Sequence, residues 1–146
     1  MKILLVAASG GHVEEILGLC KHLKGHDISF FTFDDRHLKS LKYTQHLTQD
    51  PRRNPLKLLK IFFKSLKILS KEKPDVIIST GGQISAIIGV LSKLFKTKLI
   101  YIETSSRITS PSQTGKILYP FSDLFIVQWK PLLKVYKKAK YGGLLI

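Results

Sequence analysis

Two stretches of the chain set a glycine pair between a short apolar run and a pattern of helical period. Ser9, Gly10, Gly11 and His12 follow KILLVAA, and Thr80, Gly81 and Gly82 follow DVIIS. Glycine admits positive φ and lets a ligand reach the main chain, while a helix start offers N–H groups and a partial positive charge. Together the two turns predict a two-sided cradle for phosphate. Each taken alone also reads as a tight turn without a ligand. Neither completes a G-x-G-x-x-G dinucleotide fingerprint, and Asp34 or Asp35 is only a loose match for its ribose-binding acid. His12 falls at a helix start, where the dipole disfavours the imidazolium and leaves a neutral ring. Such a ring either takes a proton or orients an acceptor hydroxyl, or it caps and packs the turn. Glu103 closes another apolar run and is followed by Thr104, Ser105, Ser106 and Arg107. A carboxylate, three hydroxyls and a guanidinium on one loop suit sugar hydroxyls and pyrophosphate. The alternative is a solvated loop in which Glu103 pairs with Arg107. His22, His26, His37 and His46 show no metal-ligand spacing with Cys20 or with one another, so they are assigned to the surface and no metal is expected.

The elements that must position these residues alternate between branched apolar runs and longer helical stretches, the pattern of a parallel α/β sheet. Strands are expected near 2–8, 28–33, 75–79, 98–103 and 123–128. Helices are expected near 12–24, 55–72, 83–96, 113–121 and 130–138. The polar turns at the strand ends fall on one edge of the sheet, where open α/β sheets bind ligands. Residues 44–55, TQHLTQDPRRNP, carry the Pro, Asn and charge content of a surface loop. A chain of 146 residues without internal repeats is expected to form one domain over 1–146.

Twenty-four Lys and Arg against ten Asp and Glu give a formal charge of +14, which draws the chain toward nucleic acid, phosphorylated ligands or an anionic membrane face. The single cysteine, Cys20, excludes an internal disulfide framework and fits a reducing, cytosolic setting. No stretch reaches the twenty or so apolar residues of a bilayer crossing, so membrane contact is expected to be peripheral. The helix over 55–72 supplies a candidate surface. On a helical wheel Lys57, Lys60, Lys64, Lys67 and Lys71 fall within roughly 80°, while the apolar residues spread over about 240°. Packing on a sheet needs a stripe of only about 100°. The excess apolar surface, Phe63 and Leu56 on one side of the lysines and Ile61 and Ile68 on the other, must meet a neighbouring helix, another chain or lipid. A basic helix with aromatic and aliphatic flanks has the composition of an interfacial membrane binder.

ASGGHVEEILGL, PDVIISTGG, KLIYIETSSRITSPSQTGKILYPFSDLFIVQW and the closing KKAKYGG together resemble one family. It is the acceptor-side, membrane-recruiting subunit of the two-part UDP-N-acetylglucosamine transferase of dolichol-linked oligosaccharide synthesis, with bacterial and archaeal relatives in capsule and exopolysaccharide assembly. The resemblance implies a Rossmann-like parallel sheet of five or six strands flanked by helices, equivalent to the N-terminal half of a GT-B glycosyltransferase. It implies that the UDP-sugar sits on a partner chain, that this chain holds no cofactor of its own, and that it is inactive alone. The chain would then bind a polyprenyl-pyrophosphate-sugar acceptor and recruit its partner to the cytoplasmic face of the membrane. Ser9, Gly10, Gly11, His12, Thr80, Gly81, Gly82 and the Glu103–Arg107 loop correspond to the acceptor side, with His12 and Glu103 as candidates for chemistry. Eukaryotic members carry an N-terminal membrane helix with no counterpart here, so Lys57, Lys60, Phe63, Lys64 and Lys67 are expected to face the membrane instead. Tyr141, Leu144, Leu145 and Ile146 are expected to dock on the partner, because bare apolar residues make a poor surface. A free-standing nucleotide-binding Rossmann enzyme is the competing reading. Nucleic-acid binding is disfavoured, since the aromatics sit inside apolar runs instead of alternating with the basic residues.

Overall fold

The computed structural model describes residues 1–34 and 38–145. Seven parallel strands form one sheet: β1 (Lys2–Ala7), β2 (Asp27–Phe33), β3 (Thr44–Thr48), β4 (Val76–Gly81), β5 (Lys98–Ile102), β6 (Leu124–Val127) and β7 (Lys140–Tyr141). Their order is β3-β2-β1-β4-β5-β6-β7, so the winding reverses between β1 and β4. The helices are α1 (Gly11–Cys20), α2 (Pro55–Glu72), α3 (Gln83–Leu91) and α4 (Gln113–Leu118). Alternation along β1 feeds two cores: Leu4 and Val6 pack toward α2 and α3, and Ile3, Leu5 and Ala7 pack toward α1. This is the Rossmann-like α/β fold expected from the sequence.

The sheet is larger than the five or six strands expected. Residues 44–48 are not loop but an edge strand paired with β2 from Ser29↔Thr44 to Phe33↔Thr48. A strand with one neighbour stays half in solvent, so TQHLT lacks the apolar run that marks the others. Its His46 is half-buried, with Nε2 on the Glu72 carboxylate, and so is not a plain surface histidine. His37 and Asp35 lie outside the described residues. Two helices end earlier than their patterns suggest, α1 at Cys20 and α3 at Leu91. The expected helix over 113–121 turns into a 3-10 turn at Tyr119–Phe121, where Pro120 offers no N–H. The segment expected as a helix over 130–138 is a 3-10 turn, Lys130–Lys134, leading to β7.

Asn54 starts α2 by accepting from the amides of Leu56 and Lys57, with Pro55 in the first turn. Ile61 and Ile68 are core residues, which corrects their assignment to the excess apolar surface. What remains exposed is Leu56, Leu59, Phe62 and Phe63. Among the described residues no helix is long and apolar enough to cross a membrane.

Candidate functional site

The reversal between β1 and β4 opens a crevice at the carboxyl ends of the strands, and both glycine turns lie on it. They are built as one unit. The Ala8 amide donates to the Gly81 carbonyl at 3.1 Å. A Cβ on Gly82, at φ +98°, would stand 2.4 Å from the Ala8 Cβ, so only glycine lets the turns close on each other. Thr80 completes the joint, its hydroxyl donating to the His12 carbonyl at 2.7 Å. Thr80 is therefore buried in the scaffold and not available to a ligand. Ser9, Gly10 and Gly11 lie exposed along the rim.

His12 sits over the second turn. Its ring approaches Gly81 so closely that a Cβ there would lie 2.9 Å from Cε1, with the Tyr101 hydroxyl 3.3 Å from the same point. The buried Nδ1 has no hydrogen-bond partner among the described residues. His12 thus brings an imidazole, a group able to donate or accept a hydrogen bond, to the wall of a cavity.

The cavity measures about 300 Å³ and is lined by His12, Gly82, Tyr101, Thr104, Ser106, Arg107, Ser112, Gln113 and Thr114. Five of these carry hydroxyls, one is a guanidinium, and none is a carboxylate. The starts of α1 and α3 adjoin it, adding partial positive charge. This lining matches an anion bearing hydroxyls far better than a cation.

Glu103 is not among the lining residues. It is fully buried beneath them, its carboxylate accepting from the Tyr136 hydroxyl at 3.0 Å, the Ser112 amide at 3.1 Å, the Thr104 amide at 3.2 Å and the Tyr101 hydroxyl at 3.3 Å. Burial first, and then the Glu103 charge, pushes both phenols well above their usual range, so both stay protonated donors. Gly115 leaves room for the carboxylate, since a Cβ there would stand 2.2 Å from Oε2. Glu103 thus positions the loop; its candidacy for chemistry and its pairing with Arg107 both give way to this burial.

A second buried carboxylate holds the same loop. Glu15 accepts from the Ser105 amide at 2.7 Å, the Gln128 amide at 3.2 Å and the Thr104 hydroxyl at 3.3 Å. Trp129 adds an indole N–H to the Ser105 carbonyl at 2.7 Å. Of the loop's residues, Thr104, Ser106 and Arg107 reach the cavity, while Ser105 serves the scaffold. The sequence reading missed Tyr101, Ser112, Gln113 and Thr114 in the lining and Glu15 and Gln128 behind it. The one signal for Ser112 is its place as the cap of α4, where it accepts from Gly115 at 2.8 Å.

The other expected surfaces fall elsewhere. Lys60, Phe63 and Lys67 are exposed on α2 and Lys57 is half-exposed, but the Lys64 ammonium donates to the Leu47 carbonyl of β3. Burial, followed by the nearby Lys67 charge, lowers the Lys64 pKa, so Lys64 leaves the membrane-facing set. Asp34 pairs with Lys39 at 3.7 Å and does not reach the cavity. Tyr141 and Leu144 are half-exposed beside β6, and the Leu145 amide donates to Gln128 Oε1 at 2.9 Å. Ile146 lies outside the described residues.

Comparison with known proteins follows the same lines. Residues 33–145 match a family described as oligosaccharide biosynthesis protein Alg14 like. A protein named UDP-N-acetylglucosamine transferase subunit ALG14 from Yarrowia lipolytica is 27% identical over 175 residues, covering 99% of this chain and 81% of its own. The human protein of that name is 27% identical, covering 100% of this chain and 83% of its own. Among solved structures, Acinetobacter baumannii MurG superposes with TM-score 0.77 at 20% identity over 90% of this chain and 43% of its own. A UDP-N-acetylglucosamine 2-epimerase from Rickettsia bellii gives 0.78 at 15% identity over 99% of this chain and 45% of its own. The chain spans less than half the length of these two structures, and the likeness to them is one of fold.

Proposed function

The chain belongs to the Alg14-like family of oligosaccharide biosynthesis proteins, and from that premise we propose that it is the acceptor-binding half of a two-chain sugar transferase. The observation that carries this reading is the carboxylate-free cavity of hydroxyls, His12 and Arg107 at the winding reversal of a fold that spans under half of its structural neighbours. A polyprenyl-pyrophosphate-linked sugar has the required chemistry. Arg107 and the starts of α1 and α3 face its phosphates, and the hydroxyls of Thr104, Ser106, Ser112 and Thr114 face its sugar. His12 accepts the proton of the attacking hydroxyl. The UDP-sugar donor is held by the partner chain, which closes over the crevice.

A lipid-linked acceptor requires a membrane surface, and α2 offers one at the cytoplasmic face. Leu56, Leu59 and Phe63 stand exposed beside Lys60 and Lys67. Such a stripe buries apolar side chains among headgroups while its lysines meet anionic lipid, each worth about 1 kcal/mol. Replacing Lys60 and Lys67 by Glu is expected to weaken binding to vesicles containing phosphatidylglycerol by more than about tenfold, measured by co-sedimentation. Undiminished binding would remove α2 from the membrane surface.

The exposed Tyr141 and Leu144 and the closing residues of the chain are the docking segment for the partner. Replacing Leu144 by Glu is expected to abolish co-purification of the donor-binding chain while leaving the fold intact, as checked by circular dichroism, since Leu145 keeps its amide bond to Gln128. An undisturbed complex would place the interface elsewhere.

A further inference from the structure

A cavity of about 850 Å³ lies on the other edge of the sheet, where β4 and β5 begin. Its walls combine two chemistries. Leu69, Val76 and Phe95 make it partly apolar, and Lys73, Lys96 and Lys98 make it cationic. Asp75 is the one carboxylate in the lining, and its Oδ2 is engaged by the Lys2 amide at 2.7 Å.

The backbone at two of these lysines is unusual. Lys73 has φ 47° and Lys96 has φ 55°, both in the left-handed region that glycine occupies without penalty. Among the described residues three non-glycine positions have positive φ, and all three are cationic: Arg52, Lys73 and Lys96. Lys73 closes α2 in this conformation, the position where glycine is the common choice. Lysine there forgoes conformational ease and sets a charge at the cavity.

The cavity also adjoins the exposed face of α2. Leu56, Phe63 and Ser70 recur every seven residues and share one side of the helix, and Ser70 belongs to the cavity wall. Leu94 and Phe95 stand exposed just after α3.

We propose that this cavity binds a phosphate group carried on an apolar stem, the chemistry of an anionic lipid headgroup with the first carbons of its chains. The three ammonium groups meet the phosphate, and Leu69, Val76 and Phe95 meet the stem. Inorganic phosphate shares the first contact and gains nothing from the second. The site is separate from the crevice at the glycine turns and does not depend on how that crevice is used.

Dihexanoyl phosphatidic acid, kept below its micelle concentration, tests the site without any membrane. Titration into the 15N-labelled protein is expected to give saturable amide shifts centred on Lys73, Thr97 and Lys98. The double variant Lys73→Gly, Lys96→Gly is expected to bind at least about tenfold more weakly, two lysine contacts being lost, while its Tm stays within about 2 °C because glycine suits both backbones. Lys60→Ala, Lys67→Ala removes equal charge from the middle of α2 and is expected to leave the titration unchanged. If inorganic phosphate competes at equal concentration, the apolar stem contributes nothing and the proposed lipid ligand is overturned. Failure of both ligands to saturate, or equal weakening by the two double variants, would overturn the proposal. Because no bilayer is present, loss of vesicle binding in the α2 charge reversals neither supports nor undermines it.

Discussion

Replacing Gly82 by alanine is expected to cost the protein about 2–6 kcal/mol, a large share of the roughly 5–15 kcal/mol that holds a domain folded. Two effects add. At φ +98° any L side chain is strained, at about 1–3 kcal/mol. The new Cβ would also meet the Ala8 Cβ at 2.4 Å, and Ala8 cannot retreat because its amide is bonded to the Gly81 carbonyl at 3.1 Å. Overpacking of this kind costs about 1–3 kcal/mol more. Thermal unfolding is expected to drop by roughly 10–15 °C. Gly143→Ala separates the two effects, since Gly143 has φ +75° but nothing within 4 Å of an added Cβ. It should show the backbone strain alone, about 1–2 kcal/mol. Equal losses in the two variants would mean that the glycine turns are not locked together.

The contrast between Gly82 and its surroundings shows where sequence reading succeeds. Apolar runs announce β1, β2 and β4 because each is buried on both faces of a parallel sheet, and β5 and β6 because their faces are largely covered; such burial demands continuous branched residues. The glycine turns follow from the same logic, since a glycine pair after such a run marks a strand-to-helix turn at the ligand-binding edge. Thr44–Thr48 escapes because an edge strand has only one neighbour, and Lys140–Tyr141 because two residues carry no period. Glu103 reads as a site residue for good reason, standing between an apolar strand and TSSR. What buries it comes from far along the chain: the Tyr136 hydroxyl, the Ser112 amide and the space left by Gly115. Glu15 is legible only in hindsight as a carboxylate beside Ile16 on the buried side of α1, and its partners Ser105 and Gln128 lie 90 and 113 residues away. In α2 the wheel locates the lysines but cannot tell that Lys64 is drawn to β3, a strand absent from the sequence reading. Local pattern thus carries the frame and the position of the crevice, while the buried polar bonds that shape it depend on contacts made only in the folded chain.

Sugar transfer that depends both on a second chain and on His12 is the other large effect expected. The crevice is lined by His12, Arg107 and five hydroxyl-bearing side chains, and the chain spans less than half the length of the solved structures whose fold it shares. On the proposed reading the crevice holds the acceptor, and a partner chain brings the donor sugar within reaction distance. With the partner present, His12→Ala is expected to lower transfer by about 10²–10⁴-fold, the usual contribution of a positioned general base. His12→Ala should lower stability only modestly, because the ring packs on Gly81 but its Nδ1 has no hydrogen-bond partner among the described residues. Glycine at this position would confuse the result by loosening the start of α1.

The most direct measurement is transfer of labelled N-acetylglucosamine from its UDP form to a polyprenyl-pyrophosphate-sugar in detergent, using this chain, the co-purified donor-binding chain, and the two combined. Product is expected from the combination alone, falling at least about a hundredfold when His12 is alanine. Product from either chain by itself, or full activity of the combination with His12→Ala, would contradict the proposed function.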